Sequence, residues 1–232
     1  MLDYYHVLTN YLGFDEAYSP ILSSVLTLVI TIVLGYLYKK STENKLQSGD
    51  LSPSDHLGLP AFMETIMSFL HGLSKEQCGK DYASFLPFLS GLFVFILFNN
   101  LTGLVPGFPP STESFSANLV IGASVFLVYN YAGMREHKLS YAKQFMGPFL
   151  ILAPLFIVLE LISHAARPLS LSFRLTANIF GDHLLLGVFS AMTPLLVPSF
   201  LLFFGLLVAC VQSFVFTMLS GIYIHMAISH DH

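Results

Sequence analysis

The sequence predicts an all-α integral membrane protein: three roughly perpendicular spans, one interfacial amphipathic helix and a long tilted two-helix hairpin. Three observations lead there. Hydrophobic residues fill 54% and charged residues 10% of the 232 positions, whereas soluble domains carry about 25% charged residues. Uncharged runs recur at lengths that cross a hydrocarbon core of about 30 Å at about 1.5 Å rise per residue. Outside one stretch, Lys and Arg collect in two loops. The same figures exclude other classes. A net charge of −4 and a pI near 6.1 argue against nucleic-acid binding. The two cysteines, Cys78 and Cys210, form no disulfide framework, and Cys210 in its apolar run reads as a small core residue.

Residues 1–20 have neither a basic n-region nor an Arg. They read as a short outer arm, not as a secretory signal or a transit peptide. Residues 21–38 are uncharged and closed by Lys39 and Lys40, so they form the first span, a lipid-facing anchor without a polar stripe. Residues 57–73 are shorter than a span and contain Glu64 and His71. Phe62, Ile66, Phe69 and Leu70 recur at helical spacing, which suits a helix lying on the membrane surface. Residues 83–105 form the second span, ending near Asn99 and Asn100. These two amides can cap the helix, bond to another helix or line a pore. PGFPPSTES (106–114) is a turn segment rich in Pro and Ser. Residues 117–133 form the third span, with Gly and Ala that allow close helix contact. Residues 148–191 are too long for one perpendicular helix and must tilt or break, Pro168 being a kink point. Residues 194–228 form the final tilted helix, with Gln212 as its one strongly polar central residue.

Orientation follows from the basic residues. Lys39, Lys40, Lys45, Lys75 and Lys80 fall in residues 39–81, and Arg135, Lys138 and Lys143 in 134–146. The positive-inside rule puts both loops on the inner side, the N-terminus outside and the C-terminus inside.

Residues 160–183 are the exception, with Glu160, His164, Arg167, Arg174, Asn178, Asp182 and His183 in apolar surroundings. A charge at the bilayer centre costs about 2.5–3.5 kcal/mol on insertion scales, so charges kept there face a cavity, a partner or an ion path. At about 100° per residue, the residues Glu160, His164, Arg167, Arg174, Asn178 and Asp182 fall on one stripe within about ±40°, and His183 lies to the side at about 140°. The stripe runs about 33 Å, enough to cross a bilayer. Acids and histidines exchange protons, and Arg effectively does not. Titratable groups at both ends and a fixed cation between them describe two half-paths separated by a barrier. A structural ladder of ion pairs along the same stripe is the alternative.

RPLSLSFRLTANIFGDHLLL (167–186), with a Glu 14 residues before Arg174, resembles the signature of subunit a of F-type ATP synthases, the membrane stator of the proton channel. FNNLTGLVPGF (98–108) and the tail VQSFVFTMLSGIYIHMAISHDH resemble the same family. The resemblance implies that Arg174 faces a rotating c-ring, keeps its passing carboxylate ionised and blocks a proton short circuit. It implies that Asn178 lies beside the outer path, with His183 at a position occupied by Glu or His in the family. Glu160 would serve the inner half-channel, and Gln212 would face Arg174 from the last helix. His164, Arg167 and Ser170 are secondary candidates. Implied partners are the c-ring, peripheral-stalk subunit b, other F0 subunits, the lipid bilayer and the translocated proton. No cofactor, metal or nucleic acid is implied, and the chain is expected not to be an enzyme by itself.

Two departures stand out. Some members carry a titratable residue seven positions before the last-helix glutamine, where this sequence has Gly205, and Asp182 replaces a residue that is usually small. The outer path is therefore expected to use Asp182 and His183. The absence of a visible targeting segment favours a bacterial inner membrane, with an organellar energy-transducing membrane as the alternative. A self-contained proton-coupled transporter would show internal repeats, but the charged stretch occurs once. H-E-x-x-H, G-x-S-x-G and G-x-x-x-x-G-K-[ST] are absent.

Overall fold

A computed structural model describes residues 19–47, 58–78, 82–105, 110–138, 153–193 and 196–229. The helices are α1 (Ser19–Gln47), α2 (Leu59–Cys78), α3 (Tyr82–Thr102), α4 (Phe115–His137), α5 (Ala153–Met192) and α6 (Leu196–Ile228), with a 3-10 turn at Ser111–Glu113 before α4. No strand occurs among the described residues. Stretches of α1, α3, α4, α5 and α6 are long and apolar enough to cross a membrane. The chain is an all-α integral membrane protein. The outer arm, apart from its last residues, and the start of the 148–191 run lie outside the described residues.

The apolar pattern explains how these helices assemble. α1 exposes Ile21, Val25, Leu28, Val29, Ile32, Val33, Tyr36 and Leu37, as expected where lipid is as good a neighbour as protein. The main core joins four helices: Leu89, Leu92 and Ile96 of α3, Val125 and Tyr129 of α4, Leu171 and Leu175 of α5, and Phe216 and Ile224 of α6. α2 buries Leu70 against Phe93 and Leu97 of α3 and also meets Phe214 of α6. Its Phe62 and Phe69 remain exposed. One face is thus packed on protein and the other is open.

Small residues set the closest approaches. α6 turns Gly205, Ala209, Ser213, Thr217, Ser220 and Gly221 inward, and the hydroxyls of Ser213, Thr217 and Ser220 donate to carbonyls one turn earlier. These three hydroxyls thereby pack without stranded donors in a medium that offers no water. Cys210 is exposed, not a core residue, because Ala209 holds the adjacent inward position. Gly122 marks the crossing of α4 and α5. A Cβ there would lie 2.6 Å from Ser172 Oγ and 2.8 Å from the Pro168 carbonyl oxygen.

α5 is one helix of 40 residues that does not break at Pro168. Proline lacks the amide that would bond to the carbonyl of His164. The Tyr129 hydroxyl of α4 lies 3.5 Å from that oxygen and 2.9 Å from His164 Nδ1. Packing against α4 therefore supplies a polar neighbour where the helix lost one.

Candidate functional site

The charged stretch of α5 does not form one continuous ladder. The roughly 80° between His164 and Arg174 on the helical wheel straddles the edge of the packed face. His164, Leu171, Leu175 and Ile179 are buried, while Ser170, Phe173, Arg174, Ala177 and Phe180 are exposed. Arg174 lies near the middle of the Leu155–Ser190 span. Among the described residues it forms neither a hydrogen bond nor an ion pair. Ser170 and Ala177, about one turn to either side of it, are also exposed, and Gly181 has open space beyond its Cα. A small-residue surface of this kind lets another helix approach closely.

Arg167 is a contrast. Its guanidinium sits over the rings of Tyr129 and Tyr223, 5.7 and 5.5 Å from their centroids, within the range of cation–π attraction. Beside it, Glu160 Oε1 lies 3.3 Å from His164 Nε2, and His164 Nδ1 meets Tyr129 as described. Ser170 donates to the Arg167 carbonyl at 2.9 Å. Glu160, His164, Tyr129 and Arg167 thus form one cluster on the N-terminal side of Arg174.

A second polar cluster lies on the C-terminal side. Asn178 Nδ2 donates to Gln212 Oε1 at 2.7 Å. Gln212 therefore pairs with Asn178, not with Arg174, and its own Nε2 is buried without a hydrogen-bond partner among the described residues. His183 points to the side as its position on the wheel requires. Its Nδ1 lies 3.3 Å from Glu113 Oε2 and its Nε2 lies 3.2 Å from the Gly103 carbonyl oxygen. Asp182 is half-buried and within electrostatic reach of His183.

The two asparagines of α3 hold the 3-10 turn that carries Glu113. Asn99 donates to Ser111 Oγ and accepts from Ser111 N, and Asn100 accepts from Thr112 Oγ1 at 2.9 Å. Asn118 of α4 donates to Thr112 O and to Thr176 Oγ1 of α5. These buried amides fix the turn relative to α3, α4 and α5.

The Asn178–Gln212 pair gives a direct test of the second cluster. Asn178→Leu leaves the Gln212 carbonyl without its donor, at an expected cost of about 0.6–1.7 kcal/mol for one interhelical hydrogen bond in a membrane. The melting temperature of the detergent-solubilised complex should fall. Adding Gln212→Leu should recover part of the loss, because removing both partners leaves no stranded polar group. Equal melting of the single and double variants would mean that the pair does not hold α5 to α6.

Residues 21–225 match the ATP synthase A chain family. The chain belongs to that family. ATP synthase subunit a of Bdellovibrio bacteriovorus is 41% identical over 181 residues, covering 78% of this chain and 79% of that protein. ATP synthase subunit a 2 of Syntrophotalea carbinolica is 42% identical over 175 residues, 75% of each chain. ATP synthase subunit a of Citrifermentans bemidjiense is 36% identical over 231 residues, covering 100% of this chain and 97% of that protein. Membership makes the chain a membrane-sector subunit of an F-type ATP synthase, a proton-translocating part of the complex and not its catalytic one.

Two residues of these clusters escaped the sequence reading. Glu113 sits in a segment read as a plain turn, although it is the single charged residue between Asp81 and Arg135. That isolation was the available signal. Tyr129, which joins His164 and Arg167, had no such signal, since its partners lie on other helices.

Proposed function

We propose that this chain is the stator of the membrane motor, forming two offset half-channels that load and unload carboxylates on a rotating c-ring. The observation that carries this reading is Arg174: exposed, mid-span and without an internal partner among the described residues. Lipid is a poor solvent for that charge. A carboxylate carried past on another subunit would satisfy it, and the small residues near Arg174 leave room for the helix bearing that carboxylate.

The chemistry then follows from the two clusters. A proton arriving from outside near His183, Asp182 and Asn178 neutralises a ring carboxylate. The neutral acid can turn into lipid, whereas an ionised one cannot do so cheaply. After nearly a full rotation it returns on the other side of Arg174 and releases its proton toward Glu160. Arg174 favours the ionised carboxylate between the two paths through opposite-charge attraction and carries no exchangeable proton of its own at working pH. A proton falling through roughly 100 mV delivers about 2.3 kcal/mol. Basic-residue placement orients the N-terminus outside and the C-terminus in the cytoplasm of a bacterial inner membrane. Subunit b of the peripheral stalk would hold the chain against rotation.

Cross-linking tests the location of the ring. Cysteines replacing Ser170 or Ala177 should form disulfides with a cysteine placed beside the ring carboxylate, whereas Leu175→Cys, on the buried face, should not. Cross-linking from Leu175 alone would reverse the assignment of the ring-facing side.

A further inference from the structure

The outer path needs a group that collects protons from solution. The sequence offers Asp182 and His183 on α5 and nothing titratable at Gly205 on α6. The fold adds a third group from a different element. Glu113, on the 3-10 turn before α4, brings Oε2 to 3.3 Å from His183 Nδ1. The side chain of Glu113 is 38% exposed and that of His183 15%, so the carboxylate is the outward member and the imidazole the enclosed one. The opposite ring nitrogen, Nε2, lies 3.2 Å from the Gly103 carbonyl oxygen, which can only accept a hydrogen bond. In the neutral ring that contact favours the tautomer with the hydrogen on Nε2, which leaves the Nδ1 lone pair able to accept a proton from a protonated Glu113.

We propose that Glu113 is the outermost proton-accepting group of the outer path and delivers its proton to His183. This rests on the stator reading above. The transfer is balanced within the pair. Glu113 takes a proton from the outer solution on Oε2. The O–H bond breaks as an N–H bond forms at His183 Nδ1, leaving a carboxylate beside an imidazolium. The imidazolium, which now carries a hydrogen on each ring nitrogen, then gives one of them up toward the carboxylate of the adjacent Asp182, within its electrostatic reach; an O–H bond forms there as the N–H bond breaks, and the ring returns to its neutral form. Asp182 and Asn178 lie four residues apart on one face of α5, and Asn178 is one turn from Arg174. The groups facing His183 include Glu113 from the turn, the Gly103 carbonyl from the end of α3 and Asp182 from α5 itself. Asn99, Asn100 and Asn118 hold Ser111 and Thr112, the two residues just before Glu113 on the turn.

A collector matters most where protons are scarce, so the test varies pH on one side only. ATP synthesis is measured in proteoliposomes holding the oriented, assembled complex, at a fixed electrical potential. Glu113→Gln should match the parent at acidic outer pH and fall at least about tenfold below it at alkaline outer pH, as for removal of a proton-transfer group. Varying the inner pH should not separate the two. Glu113→Asp, which keeps a carboxylate, should fall in between. A Glu113→Gln profile superimposed on the parent, or a defect that responds equally to pH on either side, would overturn the proposal. If Glu113→Gln does not assemble, His183→Gln breaks the same pair from its other end and must give the alkaline-side defect; a parental profile there overturns it too. Arg174→Ala measured in parallel separates the two levels. Coupled activity in Arg174→Ala sinks the stator reading itself, whereas its loss beside a normal Glu113→Gln removes only Glu113.

Discussion

Arg174→Ala will abolish ATP-driven proton pumping and ATP synthesis while the complex still assembles, and the membrane sector will leak protons passively. The physical basis is the value of one fixed charge in a poorly screened site. Two opposite charges about 4 Å apart attract by about 4 kcal/mol at an effective dielectric constant of about 20. That corresponds to roughly three decades in the ionisation constant of a passing carboxylate. Without it, the carboxylate keeps its proton as it passes between the half-paths, and the barrier to direct exchange disappears. Assembly should survive because Arg174 makes no hydrogen bond or ion pair among the described residues that its loss would break. Arg174→Lys is the more stringent variant. It keeps the charge but replaces the planar fork by a compact ammonium that can lose its proton in a dry site. The measurements are proton pumping and synthesis in vesicles, with the amount of assembled complex determined on the same membranes. Ordinary coupling in Arg174→Ala would return the exposed arginine to the status of an unexplained surface charge.

The second large effect is structural. Gly122→Ala will push α4 and α5 apart, lower the thermal stability of the complex and reduce pumping with it. The new Cβ would meet Ser172 Oγ at 2.6 Å and the Pro168 carbonyl at 2.8 Å. Ser172 cannot turn away without loss, since its hydroxyl bonds to the carbonyls of Asn118 and Pro168, and a backbone carbonyl cannot turn at all. Overpacking of this kind costs on the order of 1–3 kcal/mol. Gly187→Ala, on α5, is the control because its Cβ would meet nothing within 4 Å. Equal melting of the two variants would mean that α4 and α5 do not cross as closely as described.

Much of the fold was legible in the chain. The uncharged runs marked the membrane helices because a bilayer leaves the backbone few alternatives to a helix. Boundaries were harder. α1 continues to Gln47 past an apolar run that ends at residue 38, because a helix need not stop where its environment changes. The asparagines at 99 and 100 could be read as cap, interhelical bond or pore lining, and only the position of Ser111 and Thr112 shows which partners they bond to.

The stripe on α5 shows where one-dimensional reasoning stops. Helical periodicity put its charged residues on one side, and the segment does form a continuous helix. Periodicity says nothing about the neighbours. Tyr129 and Tyr223 cover Arg167, Gln212 turns to Asn178, and Arg174 is left uncovered.

The sequence by itself determined the membrane character, the number of long apolar helices, the family and the residues with proton chemistry. Each is a property of a residue type or of short-range spacing, and both are written in the chain. The tertiary structure alone decided which charges are paired, which face stays open and which group reaches His183. Those outcomes depend on contacts between helices far apart in sequence, such as Glu113 against His183 across 70 positions, and no local pattern encodes them.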